Sequence, residues 1–318
     1  MTHVIPIDCN YIAPEVAAAY LLVRNGRGVF IENNTARAVP ALLQALRDQG
    51  LKPSDVEYVI VTHAHLDHAA GSSALMDSCP RAELLSHPRA TRHLIDPTRL
   101  VEGTTAVYGA ARFAELYGDV GPVSAHRVRG IHDGETVNWS GGVLEFHHTP
   151  GHASHHLVVV DPGSSSVFTG DAFGVCYPLL QRRGQLVLPS SPPTDFDAEL
   201  SISSAQRIAD LGCRHLYPTH FGVMPGTQQE ALKELCAGFQ LFGECVERCA
   251  TELHRGTGVD QVEQECRTTV DTYVRERLNR RGLELTTAEW DLLGLDRELN
   301  AMGLAFAAQR RLRKLTRS

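Results

Sequence analysis

His63-Ala64-His65-Leu66-Asp67-His68 follows directly on Tyr58-Val59-Ile60-Val61-Thr62, and these eleven residues decide the reading of the chain. YVIVT is a β-branched run bounded by polar residues, which reads as a buried strand over 58–62. His63 and His65 lie two residues apart, so an extended backbone points both imidazoles the same way and lets them grip one metal. Asp67 and His68 are adjacent and face elsewhere as the chain turns into a helix, which suits a second metal beside the first. Three imidazoles and a carboxylate packed this closely are costly to desolvate unless something they share binds them.

Working outward, three more clusters stand at the ends of expected strands: His152 within HTPGHASHH, Asp171 within FTGDAF and His220 within LYPTHFG. A strand that runs into a loop is where a rigid sheet presents a ligand without strain. A carboxylate such as Asp171 can bridge two cations and offset part of their repulsion, and His152 and His220 complete the two shells. Either histidine alone would read as an ordinary hydrogen-bonded residue; the weight rests on the HxHxDH cluster.

These elements sit in a chain that changes character along its length. YLLVR (20–24) and GVFIE (28–32) flank Asn25-Gly26, a hairpin signal. A helix is expected over 35–49 with Gly50 as its stop, another through SSALMDS, and helical structure over 88–120 broken at Pro88, Pro97 and Gly103. Strands resume from 126 through VNWS, VLEFHH, HLVVVD and SVFTGD, then a helix at 197–211 leads to the strand RHLYPTH. After Gly226 three helices are expected, at 227–254, 259–280 and 286–315. The expected division is therefore 1–225 for the strand-rich domain and 226–318 for a C-terminal helical extension packed on it, covering part of the site or forming a homodimer contact. The terminal RRLRKLTRS reads as a solvated helix end.

Composition narrows the function classes. The chain has 318 residues, 43% of them hydrophobic and 21% charged, which is the globular norm. A net charge of -7 argues against nucleic acid as a partner. No apolar run approaches the ~20 residues of a membrane span. The opening MTHVIPIDCNYIAPEV lacks the pattern of a signal peptide, so a cytoplasmic location is expected. The eight cysteines contain no CxxC pair and no zinc-site spacing; Cys245 and Cys249 share a helix face and read as packing residues.

HAHLDH, TPGH, TGD and PTH, in that order, resemble the metallo-β-lactamase superfamily, in the branch that includes glyoxalase II. The resemblance runs from about residue 20 to 225 and implies an αββα sandwich with the metals at one edge of the paired sheets. Carried over by position, His63, His65 and His152 hold one metal, Asp67, His68 and His220 hold the second, and Asp171 bridges them. Two divalent ions are implied, with zinc first and iron or manganese also suited to these ligands.

The implied activity is hydrolysis of an ester-type bond in a small-molecule substrate by a metal-bridging hydroxide. Asp67 would both ligate and handle the nucleophile's proton. A thioester is the leading substrate class, a lactone the next, and phosphodiester cleavage an alternative. The lactonases of this fold place a tyrosine shortly after the bridging aspartate, to which Tyr177 is a loose match. Redox relatives are the other class: di-iron enzymes usually carry glutamate where His65 stands, and mono-iron persulfide enzymes need fewer ligands. Glu32, in FIENN, falls where the family often has an aspartate and is placed to support the ligand loop. Tyr11, Phe173 and Tyr177 are candidate substrate contacts, although aromatic residues near a core are more often packing. His147, His148, His155 and His156 read mostly as strand-edge residues, one of them placed to support a ligand.

Overall fold

The computed structural model of the protein describes residues 2–316. Contacts divide the chain into two compact units. The first comprises the chain up to His148, His155–Gly170 and Cys213–Met224; the second comprises Thr149–Ser154, Asp171–Gly212 and the chain from Pro225 onward.

Both sheets belong to the first unit. Strands β1 (His3–Asp8), β2 (Ala18–Arg24), β3 (Arg27–Ile31), β4 (Val56–Ile60), β5 (Glu83–Ser86) and β6 (Val128–Gly130) form a six-stranded sheet in that order. Its first three strands are antiparallel, and β3 to β6 pair in parallel. Strands β7 (Thr136–Trp139), β8 (Gly142–His148), β9 (Leu157–Asp161), β10 (Ser166–Gly170) and β11 (His215–Pro218) form the second sheet in the order β11-β10-β9-β8-β7. Only its β10–β11 pair is parallel. Helices α1 (Val39–Asp48), α2 (Leu66–Ala69), α3 (Ser72–Ser78), α4 (Thr91–Ile95), α5 (Thr98–Tyr108) and α6 (Ala110–Leu116) complete the unit.

Period-two patterning explains how the first sheet is buried on both faces. Tyr20, Leu22, Ile31 and Ile60 meet Trp139, Phe146, Val159 and Phe168 of the second sheet. The intervening Leu21, Phe30 and Val59 pack with Leu42, Leu46 and Leu75 of the helices. Each such side chain contributes about 1.5–3 kcal/mol of transfer free energy. Across the sheets, Arg24 and Asp161 make a buried ion pair at 2.9 Å, with the Arg24 guanidinium 5.1 Å over the Trp139 ring.

Several elements depart from the sequence expectations. The strand expected at 58–62 closes at Ile60, although Val61 N still donates to Leu85 O at 3.1 Å. The helix expected from residue 35 begins at Val39, because Asn34 is drawn into a bridge with Ala69. Gly103 lies inside α5, and the break falls at Gly109, whose φ of +77° suits glycine. Strands β1 and β5 had no counterpart in the expectation. Pro6 interrupts the pattern of β1, but β1 is an edge strand, where a missing N–H is tolerated.

The second unit is helical: α7 (Ala198–Asp210), α8 (Gln228–His254), α9 (Val259–Arg280), α10 (Thr287–Leu292) and α11 (Gly294–Leu315). Asp197 and Thr227 cap α7 and α8 by accepting from Leu200 N and Glu230 N. The helix expected at 286–315 is two, with the Thr286–Glu289 capping box starting the first. Phe196 against Phe239 and Phe242 against Tyr273 mark the core between these helices. In the terminal basic run, Arg317 and Ser318 lie outside the described residues. Among the described residues no helix is long and apolar enough to cross a membrane.

Candidate metal centre

In the first unit, the segment leaving β4 delivers the histidines. Leu157 N donates to Thr62 O at 2.9 Å, which ties this segment to β9 just before His63. His65 is extended (φ −64°, ψ 147°) and α2 begins on the next residue, so Asp67 and His68 project from a helical turn as the spacing predicts. The ring centroids of His63 and His68 are 4.0 Å apart, and those of His68 and His220 are 5.4 Å apart. One ligand atom each from Asp67, His68 and His220 falls within a 4.8 Å cluster. The Asp67 carboxylate lies 3.4 Å from His220 Nε2 and 3.8 Å from His68 Nε2.

The far side of each ring shows what these imidazoles are prepared for. His220 Nδ1 donates to the Val16 carbonyl at 2.7 Å, and His68 Nδ1 donates to the Glu32 carboxylate at 3.1 Å. Thr62 Oγ1 gives its own proton to Glu32, so its lone pairs accept from His63 Nδ1 at 3.0 Å. Each ring therefore carries its proton on Nδ1 and presents Nε2 as a lone-pair nitrogen. His63 Nε2 lies 2.9 Å from His65 Nδ1, close enough for the two nitrogens to ligate one cation. This donor set fits a divalent metal, and the acceptors behind it are the supports that metal-binding histidines use.

Glu32 is the hub of that support. It is buried, and its carboxylate also accepts from Thr219 Oγ1 at 3.2 Å. The next two residues hold the ligand helix from behind: Asn33 N and Asn34 N both donate to His68 O at 3.0 Å, and Asn34 Nδ2 donates to Asp67 O at 2.7 Å. Glu32 and Asn34 take left-handed φ values of 64° and 54°, a strain these hydrogen bonds hold in place. Thr62 and Thr219 were not singled out from the sequence. Yet each directly precedes a candidate ligand, as TH at 62–63 and again at 219–220, and that repeated pair is the signal that could have found them.

His155 and His156 stand behind His63. The His156 ring is 4.9 Å from that of His63, and His155 Nδ1 accepts from Ala64 N at 3.4 Å. A Cβ on Gly170 would come within 2.5 Å of His156 Nε2 and 2.6 Å of Thr62 Oγ1, so only glycine fits just before Asp171.

In the second unit, His152 and Asp171 form their own pair. His152 Nε2 is 3.5 Å from Asp171 Oδ2, and its Nδ1 donates to the Ser190 carbonyl at 3.4 Å. Ser190 Oγ donates to the same aspartate oxygen at 3.3 Å. His152 thus shows the orientation seen in His63, His68 and His220.

The aromatic candidates are all buried. Tyr11 stacks on Tyr117 at 6.3 Å in the first unit, and burial followed by the nearby Asp67 charge raises its pKa. Phe173 is enclosed in the second unit, where the Tyr177 hydroxyl donates to Asp296 at 3.0 Å.

The model of the metallo-beta-lactamase superfamily matches residues 15–220, more than half of the chain and every one of these candidate ligands. The chain belongs to the metallo-β-lactamase superfamily. A metallo-beta-lactamase fold-containing protein of Sulfurisphaera tokodaii, ST1585, is 25% identical over 228 residues, 70% of this chain and 79% of that one. An atrochrysone carboxyl ACP thioesterase of Aspergillus fumigatus is 24% identical over 57% of this chain and 43% of its own length. A hydroxyacylglutathione hydrolase of Aeromonas hydrophila is 39% identical over a shorter 72 residues, 22% of this chain and 28% of its own. Among solved structures, ST1585 aligns over 95% of this chain and 97% of its own with a TM-score of 0.66 at 20% identity. A metallo-beta-lactamase family protein of Thermus thermophilus, TTHA1429, aligns over 99% and 94% with a TM-score of 0.62, also at 20% identity. The fold is therefore the metallo-β-lactamase fold expected from the sequence, with mixed sheets and a C-terminal helical region. Its histidines and aspartates are able to bind metal.

Proposed function

We propose that this superfamily member is a dinuclear metal-dependent hydrolase acting on a thioester. The observation that carries the reading is the shared orientation of His63, His68, His152 and His220, each with Nδ1 held by an acceptor and Nε2 presented as a ligand. His63, His65 and His152 would hold one divalent ion and Asp67, His68 and His220 a second, with Asp171 placed to serve both. Two divalent ions bound there, zinc first, would supply Lewis acidity for activating a water and polarising the substrate carbonyl.

The chain's own groups do the rest. Asp67, with its carboxylate 3.4 Å from His220 Nε2, orients the attacking water and accepts its proton. Glu32 holds His63 through Thr62 and holds His68 directly, so that neither ring rotates as charge develops. The thioester class is supported by the names of two relatives, a thioesterase and a hydroxyacylglutathione hydrolase.

The test is to purify the full chain without added metal, identify and count its metals, and assay that sample on thioester, lactone and phosphodiester panels. Two zinc ions per chain are expected, with turnover of thioesters that Asp67→Ala lowers by about 10²–10⁴-fold. Two irons with oxygen uptake and no hydrolysis would replace this reading with an oxidoreductase. Fewer than one metal per chain after reconstitution would end it.

A further inference from the structure

Far along the chain from the metal-centre motifs, three cysteines of the second unit meet between α8 and α9. Cys245 and Cys249 lie one helical turn apart on α8, with their sulfurs 3.8 Å from each other. Cys266 of α9 places its sulfur 3.7 Å from that of Cys249. All three are fully buried, and the three Sγ atoms fall within one 4.8 Å cluster. Spacing alone explains the Cys245–Cys249 pair; the third thiol arrives only because α9 packs back on α8. The Thr269 hydroxyl, 3.5 Å from Cys245 Sγ, is a poor ligand beside thiolates.

We propose that Cys245, Cys249 and Cys266 form a three-thiolate site for a trivalent thiophilic metalloid, with arsenous acid as its ligand. Sulfur donors select soft centres, and three sulfurs within 4.8 Å of one another, two of the contacts at 3.7 and 3.8 Å, suit a pyramidal centre seated on three donors.

Charge decides between candidate ions. The charged side chains that act on the trio, Arg248 on α8 and Glu265 on α9, pair with each other at 2.6 Å and offset one another. Three thiolates around a monovalent ion leave two negative charges in a buried site, and a divalent ion leaves one. A trivalent centre leaves none, which removes the cost of an uncompensated buried charge.

The binding reaction balances without an oxidant. Three S–H bonds and three As–O bonds break, three As–S bonds form, and each thiol proton leaves with a hydroxide as water. Arsenic stays trivalent throughout.

The experiment titrates the reduced full chain with arsenite under nitrogen, and reads bound arsenic after desalting and its first shell by X-ray absorption. One arsenic per chain with three sulfur neighbours is expected. Cys249→Ser and Cys266→Ser should each weaken binding by at least about tenfold, the loss seen when a metal-site support is removed. Cys236→Ser, on α8 outside the trio, should not. If either variant fails to fold, the wild type still decides: arsenite must raise its melting temperature, since a ligand of the native state stabilises it by mass action. Retained affinity in both variants, oxygen in the first shell, no thermal shift, or displacement of arsenic by equimolar zinc or copper(I) would overturn the assignment. So would a Cys249–Cys266 disulfide in protein kept under reducing conditions.

Discussion

Replacing Glu32 by glutamine isolates what one buried carboxylate does for the metal centre. The substitution keeps the volume and removes the charge. Glu32 Oε1 receives Thr62 Oγ1, Thr219 Oγ1 at 3.2 Å and His68 Nδ1 at 3.1 Å, and Oε2 receives Thr62 N at 3.4 Å. A glutamine can turn its carbonyl toward the three-bond side, which leaves its amide facing the Thr62 N–H donor. One weak bond is lost, and three charge-assisted bonds become neutral. Such bonds are roughly twice as strong as neutral ones, so the metal-free protein should lose about 1–3 kcal/mol. The larger effect falls on His68 and His63, whose rings are held through this carboxylate. Removing a support of this kind costs about 10–100-fold in metal affinity, or about 1.4–2.8 kcal/mol. Competition against a chromophoric chelator measures the affinity, and urea unfolding of the metal-free chain measures the stability. An affinity within about twofold of wild type, with an unchanged urea midpoint, would refute the claim that Glu32 organises the ligands.

Two further predictions concern stability away from the ligands. Asp161→Asn removes the buried partner of Arg24 across the two sheets and should cost about 3–5 kcal/mol in urea unfolding; a loss below about 1 kcal/mol would show that Thr2 and solvent satisfy the guanidinium. His87 is pushed down from 6.5 to about 4 by burial, then by His148, Arg89 and His132. Because its folded pKa is depressed, the unfolded chain takes up the proton first, so its contribution is full above about pH 6.5 and is lost as pH falls toward 4. The shift is worth about 3 kcal/mol at face value and about 1–2 after solvent screening. In chelator-treated protein His87→Asn should flatten the stability profile between those pH values, and an unchanged slope would contradict it.

Much of this was open to reading in the linear chain. HAHLDH declares metal chemistry because its four donors are covalent near-neighbours, and backbone geometry over six residues leaves few ways to place them. The same locality exposed β2, β3, α8 and α9, whose periodicities repeat within a few turns. Local rules failed where a long-range contact outweighed them. Asn34 joins Ala69 and delays α1, and β1 keeps Pro6 because it lies at the sheet edge.

What no local pattern could supply is the meeting of distant groups. Thr219 reaches Glu32 across 187 residues, and the two TH pairs share one carboxylate only because their strands run in the two facing sheets. Cys266 completes the thiol triangle because α9 packs against α8, whereas helical spacing predicts only Cys245 beside Cys249. Sequence alone determines which donors the chain carries and the turn of backbone on which each one sits. Tertiary structure alone decides which acceptor holds each ring, because those partners are brought together by burial of apolar faces that carry no record of them.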